Sequence, residues 1–273
     1  MNNTNPIGIF DSGIGGLTVV KKISSILPSE NIVYFGDTAR VPYGTKSNDT
    51  VIEYALQDAA YLLTHNVKLI IVACNTASSI ALPALKDKFD VPVIGMIEPG
   101  AKLAVEKSVG GKIGVIGTNA TINNKAYSNE LIKHGNNLSV YEKACPLFVP
   151  LAEEGWIEHT ATKLIADEYL HELKEQEIDT LILGCTHYPI LSRVIQSSVG
   201  EQVELIDSGV AASLVVKDYL ENQNLLNTQT GNGKIDFYVS DLSAKFKEIA
   251  ERFLGQSINE IKKIDVDELV KLI

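Results

Sequence analysis

Positive charge is scarce in this sequence. The 273 residues include 24 Lys and Arg against 34 Asp and Glu, which gives a formal net charge of −10 at pH 7. A protein that binds duplex nucleic acid neutralises many phosphates with basic side chains, and an anionic membrane attracts basic segments in the same way. The composition therefore argues against nucleic-acid and membrane partners.

Cysteine and long apolar runs are also scarce. The three cysteines, Cys74, Cys145 and Cys185, include no CxxC pair, and an odd number does not make a secreted disulfide framework. The apolar run 69–74 is far too short to span a bilayer. Residues 1–6 are polar and lack the basic and apolar regions of a signal peptide. We therefore expect a reduced, cytoplasmic protein.

Short β-branched runs alternate with amphipathic segments along the chain. Apolar residues spaced three or four apart predict helices over 50–63 and 160–173. Nine runs predict strands, at residues 7–10, 31–35, 69–73, 91–94, 112–116, 139–141, 180–183, 203–206 and 235–238. Strands that alternate with helices are typical of βα units, so we expect an α/β fold with mainly parallel sheets.

A diffuse internal repeat relates two parts of the chain. Three pairs of segments match in the same order, at offsets between 106 and 111 residues. They are 7–10 with 113–116, 41–42 with 149–150, and 69–76 with 180–187. The ordered set predicts two similar Rossmann-like lobes related by pseudo-twofold symmetry.

The repeat also predicts where the lobes divide. In this interpretation residues 1–97 and 211–273 form the first lobe, and residues 98–210 form the second. Two similar lobes enclose a cleft, and such clefts are favoured ligand sites. We expect the active site in the cleft.

Cys74 and Cys185 occupy equivalent places in the repeat. Each follows a predicted strand and precedes a segment with helical character, so each lies where open α/β sheets bind ligands. A helix amino terminus also favours a thiolate. Either cysteine alone is as readily a small buried hydrophobe, but two at equivalent positions favour a functional role. Cys145 lacks this context, and we assign it to the core.

Two thiols that face one cleft suit the inversion of a stereocentre by proton transfer. One face of the carbon needs a base and the other an acid, and a thiolate and a thiol can exchange these roles. A hydrolase needs one nucleophile, which leaves the second cysteine unexplained. Zinc is the competing use, but Cys185 and His187 give only two donors in one place, so we expect no metal site.

Asp11 and His187 are the polar residues nearest to these thiols in the predicted arrangement. Asp11 begins a partial glycine fingerprint, in which Thr18 takes the place of the last glycine. A carboxylate there repels a pyrophosphate but can hold an ammonium group or orient a thiol; the alternative is that Asp11 or Ser12 caps the next helix. His187, two residues after Cys185, can tune that thiol, or it is a satisfied structural histidine.

Four motifs together resemble the signatures of bacterial glutamate racemases, which are cofactor-independent members of the Asp/Glu racemase family. They are residues 8–18 (GIFDSGIGGLT), 34–44 (YFGDTARVPYG), 72–78 (VACNTAS) and 183–189 (LGCTHYP). The resemblance implies two α/β lobes with the site between them and no cofactor. It also implies the interconversion of L- and D-glutamate, which supplies D-glutamate for peptidoglycan.

The resemblance further implies roles for individual residues. Cys74 and Cys185 are the two acid/base thiols, which Asp11 and His187 respectively assist. Glu153 resembles a further catalytic carboxylate, although Glu154 adjoins it and a solvated acidic loop is an equal interpretation. The substrate-binding set comprises Asp11, Ser12, Pro42, Tyr43, Gly44, Asn75, Thr76, Thr118, Thr186 and His187. Tyr43 and Gly44 could equally be turn residues after Pro42.

Arginine is nearly absent. Of Arg40, Arg193 and Arg252, only Arg40 lies in a loop motif, so we do not expect a guanidinium clamp on each carboxylate of glutamate. Hydroxyls, the Asn75 amide and backbone N–H groups at helix starts are the expected partners.

Several alternatives stay open. Aspartate and hydantoin racemases also resemble this family in having two opposed cysteines. The spacing of residues in the sequence does not distinguish substrates that differ by one methylene group. A two-lobed protein that binds an acidic amino acid without chemistry has no need of the cysteines. A pyridoxal-phosphate racemase needs a Schiff-base lysine, and no lysine here lies in a comparable constellation. The residues leave the oligomeric state open, with a homodimer as one expectation.

Overall fold

Ten strands form two parallel sheets in the computed structural model, which describes residues 2–273. The strands are β1 Ile7–Asp11, β2 Ile32–Gly36, β3 Leu69–Val72, β4 Val93–Ile94, β5 Lys112–Gly117, β6 Ser139–Ala144, β7 Thr180–Gly184, β8 Glu204–Asp207, β9 Ile235–Val239 and β10 Lys262–Lys263. The nine predicted strands are confirmed. Strand β10 has no predicted counterpart, because two residues are too few to carry an alternation pattern.

Helices connect the strands, as a parallel sheet requires. They are α1 Leu17–Ile26, α2 Asn48–Leu63, α3 Asn75–Lys88, α4 Ile97–Lys107, α5 Asn119–Asn123, α6 Ala126–His134, α7 Phe148–Glu153, α8 Thr160–Glu175, α9 Ser192–Val199, α10 Ser208–Asn222, α11 Phe246–Leu254 and α12 Val266–Val270. Helices α2 and α8 confirm the two predicted helices. Within residues 2–273, none of the helices has the length and apolar character needed to cross a membrane.

The two sheets share one strand order. The first sheet runs β10-β9-β2-β1-β3-β4 and the second β6-β5-β7-β8, so the strands β2-β1-β3-β4 of the first repeat the order of the second. The register repeats as well, since Ile7 pairs with Leu69 in the first sheet and Ile113 pairs with Thr180 in the second. The internal sequence matches equate these same residues. The predicted α/β fold with parallel sheets is confirmed.

Two helices lie at the predicted divisions between the lobes. Strands of the first sheet come from residues 7–94 and 235–263, and those of the second from residues 112–207. Helix α10 packs on both α1 and α4, and α4 packs on β7. The divisions at 97/98 and 210/211 fall at the start of α4 and within α10, and they stay a prediction.

A continuous apolar core joins the two sheets. The central strands β1 and β7 are buried along their whole length, which explains their unbroken apolar sequences. One hydrophobic cluster contains Ile9 and Leu17 from the first part of the chain together with Leu183 and Leu191 from the second. Apolar packing therefore holds the ends of both sheets in a fixed relation.

Lys68, immediately before β3, is a buried cation. Its Nζ donates to the backbone carbonyls of Asn3 (2.7 Å) and Leu225 (2.8 Å) and lies 2.5 Å from the Glu30 carboxylate. Glu30 also accepts the backbone N–H of Asn227 at 2.8 Å. This ion pair therefore ties the start of the chain and the segment after α10 to the first sheet.

We expect Lys68→Met to lower the free energy of unfolding by about 3–5 kcal/mol, because it leaves the Glu30 carboxylate buried without its cation. Urea denaturation measures the change. Lys68→Met combined with Glu30→Gln should recover part of the loss, since no buried charge is then unpaired. Lys22→Met removes a half-exposed partner of Asp207 and should cost less than about 1 kcal/mol. Equal losses for Lys68→Met and Lys22→Met would contradict a structural role for the buried pair.

Candidate active site

The carboxyl ends of four central strands open onto one cavity of about 180 Å³. Ser12 follows β1, Cys74 follows β3, Thr118 follows β5 and Cys185 follows β7. The lining residues are Ser12, Val41, Pro42, Tyr43, Gly44, Thr45, Cys74, Asn75, Thr76, Thr118, Asn119, Pro146, Val149, Pro150, Cys185, Thr186 and His187. The cavity thus lies at the sheet edge where open α/β folds bind ligands, with both thiols in its wall.

Most of the predicted site residues lie in this lining. Asp11 and Glu153 do not: Asp11 influences Cys74 through its charge, and Glu153 contacts His187. Six further residues line the cavity although none of them is a predicted site residue, namely Val41, Thr45, Asn119, Pro146, Val149 and Pro150. A signal for four of these six was available, because Val41 and the pair Val149-Pro150 belong to an internal match and Thr45 directly follows a quoted motif.

Cys74 caps the amino terminus of α3. Its Sγ accepts the backbone N–H of Ala77 at 3.5 Å, as the predicted strand-to-helix position requires. Only 6% of the residue is exposed. Burial, reinforced by the Asp11 carboxylate, raises the pKa of the Cys74 thiol to about 12, while Ser12 and the Ala77 N–H act in the opposite direction. These surroundings therefore favour the neutral thiol form of Cys74.

Asp11 is a buried acid with one unpartnered oxygen. The backbone N–H of Gly13 donates to its Oδ2 at 2.9 Å, whereas no group within residues 2–273 hydrogen-bonds to its Oδ1. Burial raises the pKa of Asp11, and the positive charge of His187 opposes that shift. Asp11 therefore turns the loop after β1 and also places negative charge behind Cys74.

The same loop packs directly against the second thiol's neighbours. The Thr18 hydroxyl lies 2.9 Å from the carbonyl oxygens of both Gly15 and Thr186. A Cβ at Gly15 would overlap Thr186 and approach His187 Nδ1 to 2.5 Å, so only glycine fits there. Thr18, which replaces the last glycine of a dinucleotide fingerprint, therefore links the start of α1 to the backbone beside Cys185.

Cys185 differs from Cys74 in the structure of the next segment. A short 3₁₀ turn, Tyr188–Leu191, comes before α9, so the predicted helical segment begins with that tighter turn. The partner of Cys185 is a side chain: His187 Nδ1 lies 3.8 Å from its Sγ. Burial disfavours a charged imidazole, but Cys185 and Glu153 on its two sides raise the pKa of His187 to about 10. An imidazolium beside a sulfur stabilises a thiolate.

Glu153, at the end of α7, touches His187 from behind. Its Oε1 lies 3.0 Å from His187 Nε2, and Arg252 donates to its backbone carbonyl at 3.0 Å. Glu154 is exposed. The structure thus places Glu153, rather than its neighbour, in a chain of contacts that runs through His187 to Cys185.

The polar lining beside the thiols is built from hydroxyls and an amide. Thr76 Oγ1 and Thr118 Oγ1 lie 2.9 Å apart, which joins the loops after β3 and β5. The Asn75 side chain is fixed by Tyr127, which donates to its Oδ1 at 2.7 Å, and by Ser208, which accepts from its Nδ2 at 3.3 Å. Within residues 2–273, one Nδ2 hydrogen of Asn75 therefore has no assigned partner and is free to bind a ligand.

Tyr43 lines the cavity with its ring and backbone, but its hydroxyl is engaged elsewhere. The Oη atom lies 2.5 Å from an Asp37 oxygen and 2.8 Å from an Asp58 oxygen. Both aspartates are fully buried. Because that hydroxyl already has two partners, Tyr43 contributes shape to the cavity. No sequence pattern indicated the contact with Asp58.

No arginine lines the cavity among residues 2–273. Arg40 pairs with Asp37 and Asp58, and Arg193 pairs with Glu158 at the surface.

Cys145 is fully buried in the core. In the described part of the chain, no group of three or more His, Cys, Asp or Glu residues is arranged to hold a metal ion.

Comparisons with known proteins agree on one family. Residues 7–214 match the Asp/Glu/Hydantoin racemase family. A glutamate racemase of Chlorobaculum parvum is 50% identical over 265 residues, 97% of each chain. The crystal structure of Francisella tularensis glutamate racemase with D-glutamate aligns with a TM-score of 0.91 at 43% identity, covering 97% of this chain and 99% of that one. A Bacillus anthracis glutamate racemase aligns with a TM-score of 0.93 at 37% identity, with coverage of 97% and 99%.

The pKa of Cys74 gives a direct test of its electrostatics. In a Cys185→Ser background, we expect alkylation of Cys74 by iodoacetamide to accelerate about tenfold per pH unit from pH 7 to 10, because the thiolate fraction rises throughout that range. Asp11→Asn removes a negative charge, lowers the pKa of Cys74 and should raise the rate at each pH. Mass spectrometry of the Cys74 peptide measures the rate of alkylation.

Asp167→Asn, at an exposed position on α8, is the matched control and should leave the alkylation profile unchanged. A slower or unaltered reaction in Asp11→Asn would show that the Asp11 carboxylate does not raise the pKa of Cys74.

Proposed function

The chain belongs to the Asp/Glu/Hydantoin racemase family and is an isomerase, and from this premise we propose that it interconverts L- and D-glutamate through two thiols, Cys74 and Cys185. The observation that carries the proposal is that both thiols line one small cavity at equivalent strand ends of two sheets with the same order. The family relation supplies the reaction class, and the close glutamate racemase relatives favour this substrate.

The reaction needs two proton transfers and nothing else. One cysteine, as thiolate, takes the α-proton and leaves a carbanion on the substrate; the other, as thiol, gives a proton to the opposite face. The first sulfur ends as thiol and the second as thiolate, so the enzyme is ready for the reverse reaction. Exchange with solvent restores the starting state. No cofactor enters this scheme.

His187 and Glu153 serve the Cys185 side. The imidazolium favours a thiolate at Cys185, and Glu153 holds the imidazole in place through Nε2. In the reverse direction the same imidazolium can return a proton to the sulfur. Glu153 is thus a positioning residue, because it reaches the reaction only through His187.

Asp11 serves the Cys74 side in a different way. Burial and the Asp11 charge raise the pKa of Cys74, which favours the protonated thiol before substrate binds. An amino acid brings a positive α-ammonium group into this negative region. That charge offsets Asp11 and lowers the cost of forming a thiolate when substrate is bound. Water excluded from so small a cavity cannot screen these interactions.

Neutral donors hold the two carboxylates of glutamate in this proposal. Ser12, Thr76, Thr118 and Thr186 supply hydroxyls, and Asn75 supplies an amide hydrogen. Backbone N–H groups at the starts of α3 and α5 add partial positive charge, of the kind that helix termini offer to anions. Pro42, Tyr43 and Gly44 shape the wall beside them.

The biological role we propose is the supply of D-glutamate for peptidoglycan in the cytoplasm. A homodimer stays a prediction. Aspartate or hydantoin racemisation is the alternative within the family, and binding of an acidic amino acid without chemistry is the alternative outside catalysis. The substrate and both cysteines therefore need direct tests.

We expect the pure protein to racemise L-glutamate in heavy water with deuterium appearing at the α-carbon, because protons on thiols exchange with solvent. Optical rotation and proton NMR follow the two events together. Cys74→Ser and Cys185→Ser should each lower turnover by about 10²- to 10⁴-fold or more, since a serine hydroxyl is a far weaker base.

Cys145→Ser is the control, because Cys145 is fully buried in the core and is not one of the residues that line the cavity, and it should retain turnover. Near wild-type racemisation in either single mutant at 74 or 185 would overturn the two-thiol assignment. Faster racemisation of aspartate than of glutamate would move the proposal to the family alternative.

Removing one cavity hydroxyl should weaken substrate binding. We expect Thr76→Ala and Thr186→Ala each to raise KM for glutamate about tenfold, the loss of roughly one hydrogen bond to a charged group. Steady-state kinetics with each enantiomer measures the effect. Ser79→Ala lies on the same helix as Thr76 but outside the cavity lining, and it should leave KM unchanged. Unchanged affinity in both threonine variants would reject this mode of binding.

A further inference from the structure

Beneath residues 41–45, which form one wall of the cavity, lies a buried cluster of charged groups. Asp37 and Asp58 are both fully buried, and the Arg40 side chain is only 9% exposed. Arg40 Nε lies 2.7 Å from Asp37 Oδ2, and Arg40 Nη2 lies 3.0 Å from Asp58 Oδ1. Two acids therefore share one guanidinium where water does not reach.

The Tyr43 hydroxyl lies between these two acids. Its Oη is 2.5 Å from Asp37 Oδ2 and 2.8 Å from Asp58 Oδ2. A phenol carries one proton and can donate it to one oxygen only. The second short oxygen–oxygen contact therefore needs a proton of its own, and one of the two acids must supply it as a neutral carboxyl group.

The donors around each acid decide which one is protonated. Asp37 accepts from Ser240 Oγ at 2.8 Å, from Arg40 Nε and from Tyr43, so its two oxygens have three donors. Within residues 2–273, Asp58 has only the Arg40 Nη2 donor, on Oδ1, and its Oδ2 faces Tyr43. The arrangement that satisfies every atom has Asp58 donate to Tyr43 and Tyr43 donate to the Asp37 carboxylate. We name this the Asp58–Tyr43–Asp37 chain.

Charge balance leads to the same assignment. An ionised Asp37 and a protonated Asp58 leave one negative charge against the one positive charge of Arg40, whereas two carboxylates leave an uncompensated buried charge. The charged and titratable groups that act on Asp58 are Asp37 and Arg40 from the loop after β2, Tyr43 from a second 3₁₀ turn, Tyr43–Thr45, and Asp11 from β1. Burial first, and then Asp37, raise the pKa of Asp58 well above its usual range, and Arg40 opposes this.

The Asp58–Tyr43–Asp37 chain fixes a segment that follows the first sheet and packs against the end of a strand of the second. Pro42, Tyr43, Gly44 and Thr45 line the cavity, and a Cβ at Gly44 would lie 3.1 Å from Thr118 beyond the end of β5. Tyr43 is the only one of these four residues in the segment that is buried. Its hydroxyl therefore anchors the segment from below.

We propose that Asp58 is the protonated member of the Asp58–Tyr43–Asp37 chain and that it is a positioning residue, which holds residues 41–45 in place as the wall against which the substrate binds. The part that concerns glutamate rests on the proposed function. The part that concerns the proton does not, because it is a property of the substrate-free protein.

The test compares two isosteric amides. Asp58→Asn keeps a neutral side chain that can accept from Arg40 and donate to Tyr43, so we expect kcat and KM for glutamate to stay within about twofold of wild type. Asp37→Asn removes the counter-charge of Arg40 and presents an amide to the Tyr43 hydroxyl, so KM should rise about tenfold or more with a smaller change in kcat. Circular dichroism and urea denaturation establish that both variants fold.

Infrared spectroscopy gives a readout without substrate. The wild type minus Asp58→Asn difference spectrum at pH 7 should contain the C=O stretch of a protonated carboxyl group, and the wild type minus Asp37→Asn spectrum should contain carboxylate bands instead. A carboxylate signal lost with Asp58→Asn would overturn the proton assignment, whatever the substrate of the enzyme.

Kinetics then tests the positioning role separately. A KM in Asp58→Asn that rises as much as in Asp37→Asn would show that the wall needs a charged Asp58, against the proposal. Asp58→Leu, which cannot donate to Tyr43, should raise KM about tenfold, and Asp58→Asn is its conservative rescue. Unchanged KM in Asp58→Leu and Asp37→Asn would show that the Asp58–Tyr43–Asp37 chain does not position the substrate. Absence of glutamate turnover in the wild type would defeat the proposed function and leave the infrared result to decide the proton.

Discussion

The cost of ionising a buried sulfur is the constraint on which the site depends. Cys74 and Cys185 are each only 6% exposed, and burial raises the pKa of Cys74 to about 12. A thiolate forms in such a place only when other groups compensate it. In our proposal the two sides compensate differently: a helix amino terminus and the ammonium group of the substrate serve Cys74, and a histidine in contact with Glu153 serves Cys185. A repeated scaffold thus carries an asymmetric electrostatic environment.

The repeat explains why so much of the fold can be predicted from the sequence. Parallel strands that are covered on both faces are largely apolar. The strands β1, β3, β5 and β7 can therefore be recognised in the sequence as short apolar runs. Equivalent strands also hold equivalent register, Ile7 opposite Leu69 and Ile113 opposite Thr180, so segments that match in sequence also match in space. The elements that escape prediction are weakly patterned, as with the two-residue β10 and the 3₁₀ turn after Cys185.

The residues of the site also differ in how well the sequence predicts them. Residues at strand ends, such as Cys74, Thr118 and Cys185, are predictable because the fold dictates where strand ends meet. Hydrogen-bond partners that come from helices are not predictable in this way. Asp58 lies within the amphipathic pattern of α2, Tyr127 and Ser208 belong to helices remote in sequence, and only the folded chain brings them to Tyr43 and Asn75. The choice between Glu153 and Glu154 likewise depends on the direction of a helix end, which adjacent identical residues do not reveal.

Buried acids recur in this protein, and their charges are compensated to different degrees. Glu30 has a lysine, Asp37 has an arginine, Asp58 in our proposal has a proton, and Asp11 has the charge of His187 but no ion-pair contact. Among these four acids, Asp11 is therefore the one whose charge is least compensated, and its charge acts on Cys74. Each of the other three is matched within the fold, so a cationic ligand gains most by approaching Asp11. In the proposed function, an acidic protein with few arginines attracts the ammonium group of an amino acid to one point in this way. Neutral hydroxyls and amides, which favour neither enantiomer by charge, then receive its carboxylates.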